Sequence, residues 1–139
     1  MMQQEIFLKR LETPNTPDLD NDTEWICRSL GFANERERES TSARIFREVL
    51  QAAIRSQGMT TEELAERVDV TRGAVIHHIH NYMDTGLFIH DRRRYLLRNP
   101  SLEKTIEELE SDAYRIFQEL KRVAREIDQK LGLHTRSHA

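Results

Sequence analysis

Between Thr71 and Arg98 the chain gathers five arginines and four histidines against only two aspartates. A guanidinium presents a planar fork of donors that matches phosphate oxygens and the guanine edge. Imidazoles either hydrogen-bond or ligate metals. Adjacent helical residues diverge by about 100°, so of His77, His78 and His80 only His77 and His80 share a side, which is at most half a zinc site. Contact with a nucleic acid or a surface role is therefore expected of them, and no metal and no cofactor. Cys27 is the only cysteine, which excludes an intramolecular disulfide and cannot supply a zinc site alone. No glycine-rich phosphate loop, paired acid/base site or nucleophile constellation is present, so no catalytic residue is assigned and an enzyme is the weakest reading.

Net charge over the 139 residues is −3, which on its face opposes a polyanionic partner. The distribution reverses that. Residues 1–40 carry 5 basic and 9 acidic groups, 41–100 carry 9 and 7, and 101–139 carry 7 and 8. Phosphate binding needs a local basic surface, not a basic protein. With 37% hydrophobic and 32% charged residues, helices with one wet face are expected rather than a thick core.

The elements that must position these groups are legible around them. Thr60 and Glu63 form a capping box opening a helix whose apolar stripe is Leu64, Ala65 and Val68. Asp69-Val70 interrupts, Thr71 is a second N-cap, and a second helix runs to about Met83 with Gly86 as its stop. Two short helices joined by a tight turn are a helix-turn-helix. Leu87-Phe88-Ile89, a polar turn at Asp91-Arg92-Arg93 and Tyr95-Leu96-Leu97 read as a β-hairpin. Upstream, Ile45, Phe46, Val49, Leu50, Ala53 and Ile54 predict an amphipathic scaffold helix over Thr41 to Gln57, closed by Gly58. Asp22 or Thr23 is expected to cap a short helix to Leu30, with Trp25, Ile26 and Leu30 apolar and Gly31 at its end. Residues 34–40 read as a charged connection, and residues 1–22 as a partly ordered tail in which Ile6, Phe7, Leu8 and Leu11 offer a short helix face or edge strand.

In the second helix of the motif, Val75, Ile79 and Tyr82 share a face with His78 at its edge, leaving Arg72, Gly73, Ile76, His77 and His80 outward. Such a face suits a major groove: Arg72 to read guanine, Ile76 to meet a thymine methyl, Thr71 and the helix N-terminus to hold phosphate. Arg92, Arg93 and Arg94 at the hairpin tip would grip the backbone or a minor groove.

The run TRGAVIHHIHNYMDTGLF is similar to the recognition helix and following strand of ArsR-type winged-helix regulators. Those read roughly Ser-x-x-x-Val-Ser-x-His-Leu and then Gly-Leu. Thr71 stands at the first Ser, Val75 at the Val, His78 at the His, Ile79 at the Leu, and Gly86-Leu87 at the closing pair; Ile76 replaces the second Ser, and Asp69 stands where such turns usually have Gly. The resemblance covers Thr60 to Leu97 in residues and implies a winged helix that regulates transcription. The metal-sensing cysteines and last-helix histidines of many members have no counterpart, so metal sensing is not implied.

From Leu102 the apolar residues Ile106, Leu109, Ala113, Ile116, Leu120, Val123 and Ile127 follow spacings of 4 and 3 as far as Leu131-Gly132, an unbroken heptad seam. A helix from Leu102 to Leu131 is roughly 45 Å long at about 1.5 Å per residue, more than so small a domain covers, so a homodimer through those seven residues is expected. With Ile106 at an a position, no g-to-e opposite-charge pair supports a parallel zipper, and the widened C-terminal half needs a further cover, for which the Trp25 helix is the candidate.

The sequence thus predicts a mainly α protein: tail 1–22, winged helix-turn-helix DNA-binding domain 23–100 with a small β-hairpin wing, long dimerisation helix 101–131 and flexible tail 132–139. The expected role is a sequence-specific transcriptional regulator binding double-stranded DNA as a homodimer. The alternative is a winged helix used for protein–protein interaction, or a general transcription or chromatin subunit whose long helix binds a different partner. No small-molecule effector is evident. No apolar run approaches the roughly 20 residues of a membrane span and the N-terminus lacks the apolar centre of a signal peptide, so a cytoplasmic location is expected.

Overall fold

The computed structural model describes residues 3–33, 40–55 and 57–136. The protein is mainly helical: α1 (Leu19–Ser29), α2 (Thr41–Ala53), α3 (Thr61–Val68), α4 (Arg72–Thr85), strands β1 (Phe88–Asp91) and β2 (Arg94–Leu97), and α5 (Leu102–Leu131). It divides into two compact units, Met1–Ile106 and Glu107–Ala139. Among the described residues no helix is long and apolar enough to cross a membrane.

In the first unit, α3 opens as its sequence dictates. Thr60 accepts from the Glu63 amide at 3.1 Å while the Glu63 carboxylate reaches back to the Thr60 amide. The short turn to α4 is made possible by Asp69 at φ +58, the left-handed conformation that Asp tolerates better than most residues. Thr71 then caps α4, accepting from the Ala74 amide at 3.1 Å. The helix runs to Thr85, two residues beyond Met83, and Gly86 closes it at φ +91, where the sequence places the stop.

The core is built where α1, α2, α4 and β1 meet. Tyr82 is fully buried, stacked on Phe88 at 4.4 Å and packed on Phe32 at 4.2 Å and Phe46 at 5.8 Å between ring centroids. Its hydroxyl donates to the Ser42 carbonyl at 2.7 Å and accepts from the Ser42 hydroxyl at 2.9 Å, with the Cys27 sulfur 3.6 Å away. A buried phenol needs such partners, since an unpaired one costs about 1–3 kcal/mol. Burial pushes the Cys27 thiol up to about 12 and raises Tyr82 above its ordinary value. Both stay neutral.

Other boundaries also differ from those the sequence predicts. Helix α1 begins at Leu19, capped by Asp18, which accepts from the amides of Asp20 and Asn21. Thr23 is instead buried inside the helix and donates to the Leu19 carbonyl, so the expected tail boundary at residue 22 falls within α1. The segment before it is extended and tied down: Gln4 Nε2 donates to the Thr85 carbonyl at 2.8 Å, the Glu5 amide to Asp84 at 3.1 Å and the Lys9 amide to Ser29 at 2.8 Å. Carbonyls in the last turn of a helix lack intrahelical donors, and this strap supplies them for α4 and α1.

Helix α2 ends at Ala53 rather than Gln57, and Ile54 is 84% exposed instead of extending the core face. The chain leaves the helix early because Met59 must pair with Tyr95, their amides and carbonyls exchanging hydrogen bonds of 2.8 and 2.9 Å. Gly58 permits that approach: a Cβ there would sit 2.8 Å from the Tyr95 carbonyl and 2.8 Å from Leu96 Cγ. Glycine at 58 therefore serves strand contact, not the helix stop. The expected charged connection at residues 34–39 lies outside the described residues.

The hairpin is antiparallel, registering Phe88 with Leu97, Ile89 with Leu96, His90 with Tyr95 and Asp91 with Arg94. Asp91 and Arg94 thus belong to the strands, and the turn is Arg92-Arg93 alone. Two-residue hairpin turns that match strand twist need φ > 0 at the first central position, and Arg92 is at φ +59.

In α5 the predicted limits, Leu102–Leu131, are those found. Ser101 and Asn99 fix its start, with the Lys104 amide donating to Ser101 Oγ at 3.2 Å and the Ser101 amide to Asn99 Oδ1 at 3.0 Å. Along its seam Phe117, Leu120, Val123 and Ile127 are 57, 58, 44 and 48% exposed.

Candidate nucleic-acid interface

Helix α4 is fixed by its inner face and open on its outer one. Val75, Ile79 and Tyr82 are fully buried, and His78 is half-buried with its ring edge-on to His77 at 5.3 Å. The expected outer residues Thr71, Arg72, Gly73, Ile76, His77 and His80 are all exposed. Nothing lies within 4 Å of a Cβ built at Gly73, so no contact within the protein requires glycine there. In a helix interior glycine costs roughly 0.5–1 kcal/mol relative to Ala. What it provides is a flush surface at the first turn, where unpaired amides and the helix dipole favour an anion.

The arginine beside it is not idle. Arg72 Nη2 lies 3.3 Å from Glu62 Oε1 on α3, the two side chains 68 and 65% exposed. An ion pair so open to water contributes about 0–1 kcal/mol, little enough for a phosphate or a guanine edge to displace it. Glu62 was not among the residues singled out from the sequence. Its position in the first turn of α3, two residues after the Thr60 cap, was the available signal.

Arg92, Arg93 and Arg94 were expected to act together, and the structure separates them. Arg92 and Arg93 form the exposed turn and have no hydrogen-bond or ion-pair partner among the described residues. Arg94 is engaged within the protein. Its Nη1 donates to the Gly58 carbonyl at 2.8 Å and lies 3.2 Å from Glu63 Oε1. The Glu63 carboxylate that closes the α3 capping box therefore also holds the hairpin. His90 adds a ring stacked on Tyr95 at 4.6 Å.

Comparison with known proteins assigns nothing further. No family model, curated protein or solved structure matches this chain.

Among the described residues no group of three or more His, Cys, Asp or Glu side chains is placed to hold a metal ion. A concavity lies between α1, α2 and α3, walled by Leu19, Leu50 and Ile54 and rimmed by Arg44, Arg47 and Arg67. Each of its guanidiniums is engaged: Arg44 with the Val68 carbonyl, Arg47 with Asp20 at 2.6 Å and Arg67 with Glu48 at 3.2 Å.

Proposed function

We propose that this protein is a sequence-specific DNA-binding transcriptional regulator of the winged helix-turn-helix type that works as a homodimer. In this reading α3 and α4 are the helix-turn-helix, the β1–β2 hairpin is the wing, and the resemblance to ArsR-type regulators reflects common architecture. The observation that carries it is the two-sidedness of α4. Its inner face is locked into the core through Tyr82, while Arg72, Gly73, Ile76, His77 and His80 form an open outer face beginning at the helix N-terminus. That is the geometry a recognition helix needs to reach base edges. Arg92 and Arg93, without partners within the described chain, are available for phosphate, and arginine at φ +59 occupies a position where glycine would fit with less strain.

The deciding experiment is selection of bound fragments from random DNA, followed by affinity against salt for the selected site. A specific regulator binds its site about 10³–10⁷ times tighter than random sequence, with a negative slope of log affinity against log salt. Equal affinity for all sequences, or none, would overturn the proposal. The open face of α5 favours one other reading, a module whose long helix binds a different protein. A monomer in light scattering at micromolar concentration would support that one.

A further inference from the structure

The apolar residues of α5 do not end at its seam. Assigning Ile106 to an a position puts Ala113, Leu120 and Ile127 at a, Ile116, Val123 and Lys130 at d, and Phe117, Ala124 and Leu131 at e, while g carries Asp112, Glu119 and Glu126. Phe117 and Leu131 are 57 and 70% exposed, so the e column is as open as the seam itself. Two parallel copies would set each acidic g residue beside an apolar e residue: Asp112 by Phe117, Glu119 by Ala124, Glu126 by Leu131. Carboxylates would then lose water against groups that cannot hydrogen-bond them. Reversing one helix brings e against e and g against g instead.

We infer that α5 pairs with the α5 of a second copy in antiparallel orientation, in a register centred between Lys121 and Arg122. This rests on the homodimer in the function proposed above and names its geometry. In that register Leu120 meets Val123 of the second copy, Ile116 meets Ile127, and Ala113 meets Lys130, each layer occurring twice by symmetry. The paired segment is Ala113 to Lys130, in which Leu120, Val123 and Ile127 are exposed and Ala113 and Ile116 half-buried. Size complementarity follows without adjustment. Phe117 faces the small Ala124 at the e edge, and the small Ala113 leaves room for the stem of Lys130, whose ammonium can reach Glu110 beside it. At the g edges Glu119 comes beside Glu126 of the second copy, and Arg122, 3.4 Å from Glu126 along the same helix, offsets their like charge. A different partner protein would have to supply this whole complementary pattern; a second copy supplies it by reversal.

The test uses the full chain with Ser111→Cys, an exposed f position, carrying a nitroxide label. Cys27 is fully buried, and the unsubstituted chain serves as the labelling control. At about 1.5 Å per residue, an antiparallel dimer in this register separates the two labels by roughly 32 Å along the axis. A parallel dimer brings them to the same level, within roughly 20 Å. A dimer in light scattering with the long distance is the expected result. A dimer with the short distance overturns the antiparallel pairing and leaves the homodimer standing. A monomer without dipolar coupling overturns both. A second measurement keeps the pairing testable if labelling perturbs it: Ala124→Phe should weaken dimerisation at least tenfold by crowding Phe117, and adding Phe117→Ala should restore it. Additive losses from the two substitutions would place the e columns apart and reject the pairing.

Discussion

Arg94 and Glu63 are joined across 3.2 Å, and the same Arg94 nitrogen donates to the Gly58 carbonyl at 2.8 Å. One carboxylate thus closes the start of α3 and anchors the second strand of the hairpin. The Met59–Tyr95 hydrogen bonds run beside this junction. The angle of the hairpin against the helical pair is set there, by a group that composition alone places with the arginines at the tip.

Arg94→Ala should therefore behave as a positioning defect. Both side chains are about half exposed, so the ion pair itself contributes little, and the hydrogen bond to Gly58 about 0.5–1.5 kcal/mol. Thermal unfolding should show that small loss. DNA affinity should fall while the salt slope stays as in the parent. A slope lowered by about 0.9 would make Arg94 a phosphate contact instead.

Arg92 and Arg93 should give the opposite signature. Replacing both with Ala should flatten the slope of log affinity against log salt by about 1.8, some 0.9 for each phosphate contact, on every sequence alike. Arg92→Gly should lower the slope by about 0.9 while relieving the left-handed backbone, so its stability should rise by about 1 kcal/mol as its affinity falls. An unchanged slope would take the turn off the DNA.

Gly73 is a second site where stability and binding should part. Gly73→Ala has room, and should stabilise α4 by roughly 0.5–1 kcal/mol in denaturant titration. If the first turn of α4 approaches DNA closely, the same methyl should weaken specific binding. More stable protein with unchanged affinity would exclude close approach there.

Arg72 and Glu62 predict a graded pair of effects. Arg72→Ala should cost roughly 1–3 kcal/mol on the preferred site and much less on random DNA. Glu62→Gln frees Arg72 and removes a carboxylate near the phosphates, so affinity should rise. If Arg72→Ala costs the same on both DNAs, Arg72 is a phosphate anchor rather than a base reader.

Alkaline pH should expose the buried Cys27. Its thiol ionises near 9.0 when exposed and at about 12 in the fold, so between those values the folded state holds a proton that the unfolded state has released. Stability contributed this way is fully present below pH 9 and is lost as pH rises toward 12, at up to about 1.4 kcal/mol per unit. Tyr82, raised likewise, adds the same sign above pH 10. Denaturant titrations between pH 9 and 10 should show this decline in the parent and a shallower one in Cys27→Ala. Equal slopes would mean that the thiol is not held protonated by the fold.

Local signals determined most of the elements. Thr60 with Glu63, Thr71, Gly86 and the seam of α5 act through neighbours three to seven residues away, and such short-range preferences are written in the chain itself. They located α3, α4 and both ends of α5, and the periodicity of Val75, Ile79 and Tyr82 oriented α4 correctly. Tertiary structure alone decided what depends on groups brought together from distant positions. Ile54 is open and α2 short because Met59 must reach Tyr95, some 36 residues on. Residues near the N-terminus are tied because α4 and α1 end in carbonyls needing donors from elsewhere. Arg94 is held because Glu63 and the Gly58 carbonyl were there to receive it, while Arg92 and Arg93 met no such partner among the described residues. Three adjacent arginines look alike in sequence, and only the fold, by supplying an acceptor to one of them, gives them different roles.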